Sequence, residues 1–290
     1  MHPLASYLRD HSRPLNPQAT GISSHLPVLE GIRCAVFDIY GTLLISGSGD
    51  IGVTDAEQQE DTLRRLIAEM KLPVPDPGHS LSEQFLELIR QDHAKSKAGG
   101  IEFPEVEIRD IWARLLSDLP GEAPPAPDQI EALAVAYENA TNPVWPMPGA
   151  ADLLGILRDR GITLGIVSNA QFYTPLLFEA FFESPLDQLG FHPDLSFFSY
   201  RHRRGKPGVW LYEQLRDALA ARGIAPEETL YVGNDALKDV HPAATLGFRT
   251  VLFAGDERSL RLRPEHPNLL PPEATVTSLL QILDLLPTAG

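Results

Sequence analysis

Asp38 is a residue whose type and position suit covalent catalysis. It comes directly after the apolar run Ala35-Val36-Phe37 and shortly before Gly41-Thr42. A carboxylate at the end of a strand, beside a turn that glycine allows, can attack an electrophile and form an aspartyl ester or an acyl-phosphate. The alternative is an ordinary turn that carries an aspartate, and this segment alone does not decide between the two.

Two further segments provide groups that bind or neutralise an anion. Ser168-Asn169 follows Ile166-Val167, and a hydroxyl and an amide at a strand end can hold an oxyanion, although both residues are also common helix caps. Lys206 ends the one dense basic cluster of an acidic sequence, residues 201–206. Its ammonium can neutralise a nucleophilic carboxylate and a bound anion together, whereas the arginines of the cluster are predicted to lie on a solvated loop.

A fourth segment, residues 233–239, carries Asn234, Asp235 and Asp239 after another apolar run. Near Asp38 these carboxylates would repel one another unless they were protonated, paired or bound to a metal. Oxygen ligands of this kind suit Mg²⁺, which keeps several waters and takes only a few carboxylates. The alternative is that Asp235 or Asp239 caps the helix that follows. The nine histidines are scattered, with no pair at ligand spacing, so a zinc site is not expected.

Parallel strands would bring these segments together at one edge of a sheet. From residue 144 onward, helical and strand patterns alternate, which predicts an α/β, Rossmann-like parallel sheet with helices on both faces. Ligands of such sheets bind beyond the carboxyl ends of the strands, where all four segments fall. Apolar residues at helical spacing, without a strand, predict an inserted all-helical domain. The predicted division is an N-terminal extension (1–30), a core (31–50 and 144–290) and a helical cap (51–143).

The composition excludes several classes of partner. The formal net charge is −15, from 39 acidic and 24 basic residues, so the surface should repel nucleic acid and anionic membranes. A small anionic substrate held by local positive charge is the expected partner. No apolar run approaches the roughly 18 residues of a membrane helix, Cys34 is the one cysteine, and residues 1–30 lack the apolar segment of a signal peptide, so a cytoplasmic location is expected. The oligomeric state is not predicted.

Together and in this order, the four segments resemble the haloacid dehalogenase (HAD) superfamily of hydrolases. Any one of them is modest evidence, whereas the ordered set is specific. The resemblance implies a Rossmann-like core with a helical cap of subfamily I inserted after the first motif, and Pro146-Met147-Pro148-Gly149 looks like the usual return to the core. The matching pieces, within about residues 31–255, are Phe37-Asp38-Ile39-Tyr40-Gly41-Thr42-Leu43-Leu44, Val167-Ser168-Asn169, Lys206-Pro207, and Val232-Gly233-Asn234-Asp235 with Asp239.

The resemblance also implies a role for each matching position. Asp38 would be the nucleophile, Lys206 would steady its carboxylate, and Tyr40 would occupy the position of the second catalytic residue. The positions implied for substrate binding are Thr42, Ser168, Asn169 and Tyr212, and those implied for a Mg²⁺ cofactor are Asp38, Tyr40, Asn234, Asp235 and Asp239.

Two positions depart from the pattern of the superfamily's phosphatases. Where those enzymes usually have a second aspartate, which serves as acid and base, this chain has Tyr40, and a phenol with a pKa of about 10 is a poor base at neutral pH. Tyr40 and Tyr212 instead resemble the L-2-haloacid dehalogenases, whose halide leaving group needs no proton. Asn234 stands where the main metal-ligating aspartate would be, yet Gly-Asn-Asp is closer to the phosphatase pattern than to the Ser-Ser-Asn of the dehalogenases.

Three functions therefore stay open. A hydrolase of small phosphate esters is favoured slightly, because three carboxylates near one point need a cation to balance them. The alternatives are a metal-free dehalogenase and a binding or regulatory protein with reduced catalysis. The cap is expected to decide specificity by closing over Asp38. Candidate positions for substrate contact are Ser46, Ser48, Phe172 and Tyr173, and residues 47–52 are predicted to form the turn of a flap beside the site.

Overall fold

The computed structural model describes residues 1–47, 56–72, 74, 76, 78, 80–118 and 125–287. Within them, the strands are β1 (Cys34–Phe37), β2 (Leu44–Ser46), β3 (Val144–Pro146), β4 (Thr163–Ser168), β5 (Phe191–Phe198), β6 (Thr229–Gly233), β7 (Arg249–Phe253) and β8 (Ala274–Val276). The α-helices are α1 (Pro3–His11), α2 (Ala56–Glu69), α3 (Leu81–Ala98), α4 (Ile108–Ser117), α5 (Pro127–Thr141), α6 (Ala150–Asp159), α7 (Thr174–Phe182), α8 (Ser199–His202), α9 (Trp210–Ala221), α10 (His241–Thr245) and α11 (Ile282–Leu285).

Six strands form one parallel sheet in the order β5-β4-β1-β6-β7-β8. Strand β1 lies in its middle, and all four of its residues are buried because helices cover both faces. Successive side chains of β1 point to opposite faces, so Ala35 and Phe37 join one apolar core, and Cys34 and Val36 join the other. The predicted fold class, an α/β Rossmann-like sheet with a helical insertion, is confirmed.

Helices α2 to α5, which we call the cap, lie between β2 and β3 in the sequence. Their apolar faces surround Trp112, which is 1% exposed and whose ring lies 4.4 Å from that of Phe85 and 5.2 Å from that of Tyr137. The sequence predicts these four helices, although α3 continues to Ala98, well past the last apolar residue of its stripe at Ile89. The added turns consist mostly of residues that favour helix without burying apolar surface. The exact boundaries of core and cap stay a prediction.

A two-stranded antiparallel ribbon, which the sequence analysis missed, joins the two connections between sheet and cap. Leu44 pairs with Pro146 and Ser46 with Val144, and the Gly47 N–H donates to the Pro143 carbonyl over 2.8 Å. Each strand has three residues and one carries proline at its end, so neither has a recognisable alternating pattern. Ser48 and the remaining residues of the predicted flap, 49–52, lie outside the described residues.

The first thirty residues are ordered against the rest of the chain. Helix α1 packs on α7 and α5, and its C-cap residue Ser12 donates a hydrogen bond to Asn139 Oδ1 over 2.8 Å. Farther along, His25 and Thr275 of β8 exchange backbone hydrogen bonds of 2.8 and 3.0 Å. The extension therefore contacts the cap at one end and the edge of the sheet at the other. Across the described residues, none of the helices combines the length and apolar character needed to cross a membrane.

Candidate active site

Asp38, Lys206 and Asp239 meet at the carboxyl edge of the sheet. Lys206 Nζ donates hydrogen bonds of 2.7 Å to Asp38 Oδ1 and 2.5 Å to Asp239 Oδ1. The three side chains are 3%, 9% and 1% exposed for Lys206, Asp38 and Asp239 respectively, so the ion pairs are shielded from water. The sequence placed these residues after three different strands, and the parallel sheet brings them into contact.

One ammonium therefore serves two buried carboxylates. Burial alone would lower the pKa of Lys206, but the carboxylates of Asp239 and Asp38 outweigh it and raise that pKa to about 12. Burial, together with the nearby Asp38 carboxylate, raises the pKa of Asp239 to about 6 although Lys206 opposes the change. Lys206 thus stays charged at any physiological pH and fixes Asp38 in place.

The second oxygen of Asp38 is available for chemistry. Asp38 lines a cavity of about 180 Å³, and its Oδ2 makes no hydrogen bond to the part of the chain that the structure describes. The next two amide N–H groups, of Ile39 and Tyr40, likewise have no acceptor among the described residues. A carboxylate oxygen beside two unengaged N–H donors and an ammonium is suited to attack an anionic electrophile and to stabilise the charge that develops.

The turn after Asp38 depends on Gly41. Its φ is +81°, and a Cβ at this position would lie 2.5 Å from Ser259 Cβ and 2.7 Å from Asn234 Nδ2. Thr42, implied as a substrate contact, is fully buried and donates instead to Asn234 Oδ1 over 3.1 Å. Thr42 therefore positions Asn234 and does not line the cavity.

Asp235 is held by a cation that the sequence analysis did not identify. Arg263 donates to both of its carboxylate oxygens, with distances of 2.6 and 3.2 Å, and the N–H groups of Leu237 and Lys238 donate to Oδ1 over 2.8 and 3.1 Å. Burial would raise the pKa of Asp235, but Arg263 and these N–H groups hold it below its usual value. Of the two interpretations of Asp235, the structure favours the helix cap over a free metal ligand.

Asp239 lies one turn later, in a helical segment wound more widely than an α-helix. The N–H groups of Val240 and His241 donate to carbonyls five residues back, of Asp235 and Ala236, which is the pattern of a π turn. The Asp239 carboxylate points back to accept the Asp235 N–H over 3.0 Å as well as the Lys206 ammonium. This turn explains why the predicted helix, residues 240–246, begins as α-helix only at His241.

These contacts reduce the set of oxygens that a metal ion can use. Among the described residues no group of three or more His, Cys, Asp or Glu side chains is arranged to hold a metal. Of the five implied positions, Asp235 and Asp239 are engaged by Arg263 and Lys206, and the Tyr40 hydroxyl is bonded to Thr174. The side-chain oxygens left among these positions are Asp38 Oδ2 and Asn234 Oδ1, and the latter accepts one hydrogen bond from Thr42. Because Mg²⁺ needs only one or two carboxylates when a substrate phosphate completes its shell, this smaller set still fits the ion.

The two tyrosines of the resemblance lie in different places. Tyr40 lines the cavity and shares a 2.9 Å hydrogen bond with Thr174 Oγ1, and burial raises the pKa of its phenol well above the usual value. Tyr212 is fully buried, and its hydroxyl donates to the Lys238 carbonyl over 2.5 Å. The structure therefore does not bring Tyr212 to the cavity, where its implied substrate contact would have to be.

Ser168 and Asn169 also differ in whether they line the cavity. Ser168 is fully buried at the end of β4 and does not reach the cavity. Asn169 does line it, and its amide braces the Lys206 backbone, accepting from the Lys206 N–H over 2.7 Å and donating to the Lys206 carbonyl over 3.2 Å. Asn169 is thus placed both to touch a ligand and to position the lysine.

The cap and its connections provide the other side of the cavity. Ser46 and Tyr173, two of the candidate specificity positions, line it, whereas Phe172 packs under the Arg109 guanidinium, 4.8 Å from the ring centre. Sequence reasoning missed several lining residues, because nothing in their local patterns marks them as functional. They are Glu105, Glu138, Asn142, Gln171, Lys238, Ser259 and Arg261.

Glu105 fixes the cap against the core beside Lys206. It accepts hydrogen bonds from Ser199 Oγ over 3.0 Å and from Gln171 Nε2 over 3.3 Å. The backbone on either side is also tied, since the Glu105 N–H donates to the Arg203 carbonyl and the Gly205 N–H to the Phe103 carbonyl, over 3.2 and 2.8 Å. The cavity is therefore closed on this side by contacts that lead directly to the lysine loop.

A parallel sheet with a buried aspartate directly after β1, a lysine bound to it and a helical cap inserted after β2 is the arrangement of a haloacid dehalogenase-like hydrolase. The chain belongs to this family, since residues 32–247 match the family model for haloacid dehalogenase-like hydrolases. The match includes every residue of the Asp38–Lys206–Asp239 cluster, whereas Ser259 and Arg263 lie beyond it.

Particular members of the family differ in what they act on. The chain is 33% identical over 175 residues to a phosphoserine phosphatase from Thermus thermophilus, an alignment that covers 58% of this chain and 64%, less than two thirds, of that protein. It is similar in fold to a 2-haloacid dehalogenase from Pseudomonas syringae pv. Tomato DC3000, with a TM-score of 0.56 and 19% identity over 88% of this chain and 97% of that one. A second crystal structure, of a dehalogenase, has a TM-score of 0.51 and 20% identity over 89% and 99% of the chains.

Proposed function

We propose that this hydrolase cleaves a small phosphate monoester through a covalent phosphoryl intermediate on Asp38. The observation that carries the proposal is the state of the Asp38 carboxylate. One oxygen is fixed by the buried Lys206 ammonium at 2.7 Å, and the other is unbonded within the described structure, beside the Ile39 and Tyr40 N–H groups. A nucleophile, a fixed cation and oxyanion donors stand at one cavity.

The reaction on this geometry has two steps. Asp38 Oδ2 attacks phosphorus, the bond from phosphorus to the ester oxygen breaks, and the alcohol leaves with a proton. Water then attacks the phosphorus of the acyl-phosphate and loses a proton, the bond from phosphorus to Asp38 Oδ2 breaks, and inorganic phosphate and the free Asp38 carboxylate are released. Throughout both steps Lys206 balances the charge on the nucleophile, while the Ile39 and Tyr40 N–H groups are placed to receive the phosphoryl oxygens.

Two observations support a phosphate ester as substrate. The first is the 33% identity to a phosphoserine phosphatase. The second is the wall of the cavity, where most of the lining side chains are carboxyl, amide, hydroxyl or cationic groups. A polar alcohol leaving group finds hydrogen-bond partners on such a wall.

The proposal includes a magnesium ion held by fewer residues than the sequence implies. Asp38 and Asn234 would hold the ion, which when bound offsets the negative charge of the phosphoryl group. The three carboxylates need a metal less than their number suggests, because Lys206 pairs with Asp38 and Asp239 and Arg263 pairs with Asp235, which leaves one negative charge instead of three.

Tyr40 favours a second candidate, a metal-free haloacid dehalogenase. Its phenol, with a pKa raised by burial, is no acid for an alkoxide, and a halide leaving group needs none. In that reaction Asp38 would attack carbon and release the halide, and water would hydrolyse the ester.

The deciding experiment measures two products from one protein. We expect phosphate release from a panel of small phosphate esters with Mg²⁺, and no chloride release from 2-chloropropionate in the presence of a chelator. Asp38→Asn should lower phosphate release by at least about 10³-fold, because the amide is no nucleophile, while thermal unfolding confirms that the variant is folded. Asp217→Asn, an exposed change on α9, is the control.

Chloride release without metal would replace this proposal by the second candidate. Stabilisation by a ligand without turnover would favour a binding protein.

A further inference from the structure

The proposed hydrolysis needs a group that moves a proton. The alkoxide leaving group must gain one, and the attacking water must lose one, steps for which positioned side chains typically contribute about 10²–10⁴ in rate. Tyr40 does not meet this need, because its hydroxyl is bonded to Thr174 and its acidity is reduced by burial. Lys206 is committed to Asp38 and Asp239 as a cation.

Glu138, near the end of cap helix α5, lies on the wall of the same cavity as Asp38. Its Oε2 accepts a 2.9 Å hydrogen bond from the Tyr173 hydroxyl, and its Oε1 accepts a 2.9 Å hydrogen bond from Asn142 Nδ2. Asn142 is held in turn by Ser46 Oγ over 2.8 Å. Cap, ribbon and core thus orient one carboxyl group at the cavity.

The electrical surroundings of Glu138 differ from those of every aspartate in the site. Glu138 lies close enough to the phenols of Tyr40, Tyr137 and Tyr173 for its charge to raise their pKa values, and no cation of the described residues pairs with it. Burial raises the pKa of Glu138, and its two neutral hydrogen-bond donors only partly oppose the change. A carboxyl group in such a place holds a proton more readily than an ion-paired one, as a general acid must.

Glu105, the other cap carboxyl at the cavity, is less suited. It accepts from Ser199, from Gln171 and from the Val106 N–H, so three donors hold its two oxygens. Burial raises the pKa of Glu105 as well, but the Ser199 and Val106 donors and the charges of Lys238 and Arg203 oppose the change. Its contacts tie the cap to the core and hold both of its oxygens in place.

We infer that Glu138 is the general acid and base of this hydrolase, supplied by the cap in place of a residue at position 40. The inference rests on the proposed function. In the first step the Glu138 carboxylic acid gives its proton to the ester oxygen as the bond to phosphorus breaks. In the second step the Glu138 carboxylate takes a proton from the attacking water. One water is consumed, and the alcohol and inorganic phosphate are the products.

The test compares Glu138→Gln on two substrates that differ in leaving group. Glycerol 2-phosphate has an alkoxide leaving group that needs a proton, whereas p-nitrophenyl phosphate releases a phenolate that does not. We expect kcat for glycerol 2-phosphate to fall about 10²–10⁴-fold with little change in KM. With p-nitrophenyl phosphate the first burst of nitrophenolate should persist, while the steady-state rate falls because the second step still needs a base.

Matched variants separate this role from a structural one. Glu131→Gln, on the same helix but in a half-exposed ion pair with Arg109, should leave both rates unchanged. Glu138→Asp, which keeps a carboxyl group, should recover part of the alkyl ester rate that Glu138→Gln loses. Thermal unfolding of each variant shows whether it folds.

Several results would overturn the assignment. One is a kcat of Glu138→Gln for glycerol 2-phosphate that stays within tenfold of the unmodified protein's kcat, and another is a rise in KM without a fall in kcat. The third is an equal loss of the nitrophenolate burst and of the glycerol 2-phosphate rate in both Glu138 variants. These outcomes leave the proposed function standing, since the unmodified protein still turns over. If the unmodified protein releases phosphate from neither substrate, the proposed function fails, and the role of Glu138 fails with it.

Discussion

Replacing Lys206 by methionine isolates the electrostatics at the centre of the site. Methionine keeps most of the buried aliphatic stem of the lysine and removes its charge. Asp38 and Asp239 then face each other without the ammonium that lies 2.7 and 2.5 Å from them, at 9% and 1% exposure. Removing one partner of a buried ion pair costs about 3–5 kcal/mol, so we expect a loss of this size in the free energy of unfolding near pH 8.

The loss should depend on pH in a definite direction. Burial and Asp38 already raise the pKa of Asp239 to about 6, above its value in the unfolded chain, so the folded state gains stability as the pH falls through that range. Without Lys206 the Asp239 pKa rises further, and protonation near pH 5 removes the repulsion. The stabilising effect of the raised Lys206 pKa is lost as the pH rises from about 10.5 to about 12, so it stays constant between pH 5 and 8.

Urea unfolding at about pH 8 and pH 5, followed by circular dichroism, measures both effects. Arg216→Met is the control, because its exposed ion pair with Asp217 should contribute at most about 1 kcal/mol. Lys206→Met combined with Asp239→Asn should recover part of the loss at pH 8, since one of the two unpaired charges is gone. A loss below about 1 kcal/mol at pH 8, or an equal loss at both pH values, would refute the reasoning.

Two further changes test the supports of the site. Gly41→Ala should lower the free energy of unfolding by about 1–3 kcal/mol more than Gly161→Ala does. Both glycines have a similar positive φ, but only at position 41 would the added Cβ meet other atoms, those of Ser259 and Asn234. Thermal unfolding of the two variants measures the difference. Arg263→Gln should destabilise the protein by about 3–5 kcal/mol near pH 7. Since the pKa of Asp235 is lowered in the folded state, this loss should fade below the usual aspartate pKa of about 3.9, as urea unfolding at neutral and acid pH will show; a constant loss would contradict it.

The sequence allowed the sheet and the central cluster to be predicted because both follow from short-range patterns. Buried parallel strands are apolar runs that end at glycine or polar residues, and their carboxyl ends must share one edge. Asp38, Lys206 and Asp239 could therefore be placed together before any distance was known. The same reasoning identified Asn169. Tyr212, in contrast, was implied only by the family resemblance, and position in a motif does not say whether a side chain points into the cavity or the core.

The remaining parts of the site depend on contacts that no local pattern encodes. Arg263 reaches Asp235 from 28 residues later, in a loop after β7 whose path only the folded chain defines. Glu138 and Asn142 reach the cavity because of how α5 docks on the core, which depends on packing over the whole cap. The β2–β3 ribbon could not be predicted for a simpler reason, because strands of three residues carry too few side chains to show an alternating pattern.

The N-terminal extension has a consequence for the order in which the molecule is assembled. Its hydrogen bond from Ser24 to Gln281 joins residues 257 apart in the chain, and its pairing with β8 is of similar range. During synthesis, the residues around His25 have no partner until β8, the last strand of the sheet, has been made, whereas the partners of helix α1 are made earlier. Contacts of such long range close late and slowly, because the entropy of loop closure opposes them until their partners exist. The pairing of His25 with β8 is therefore expected to close late, after helix α1 has docked on α5 and α7.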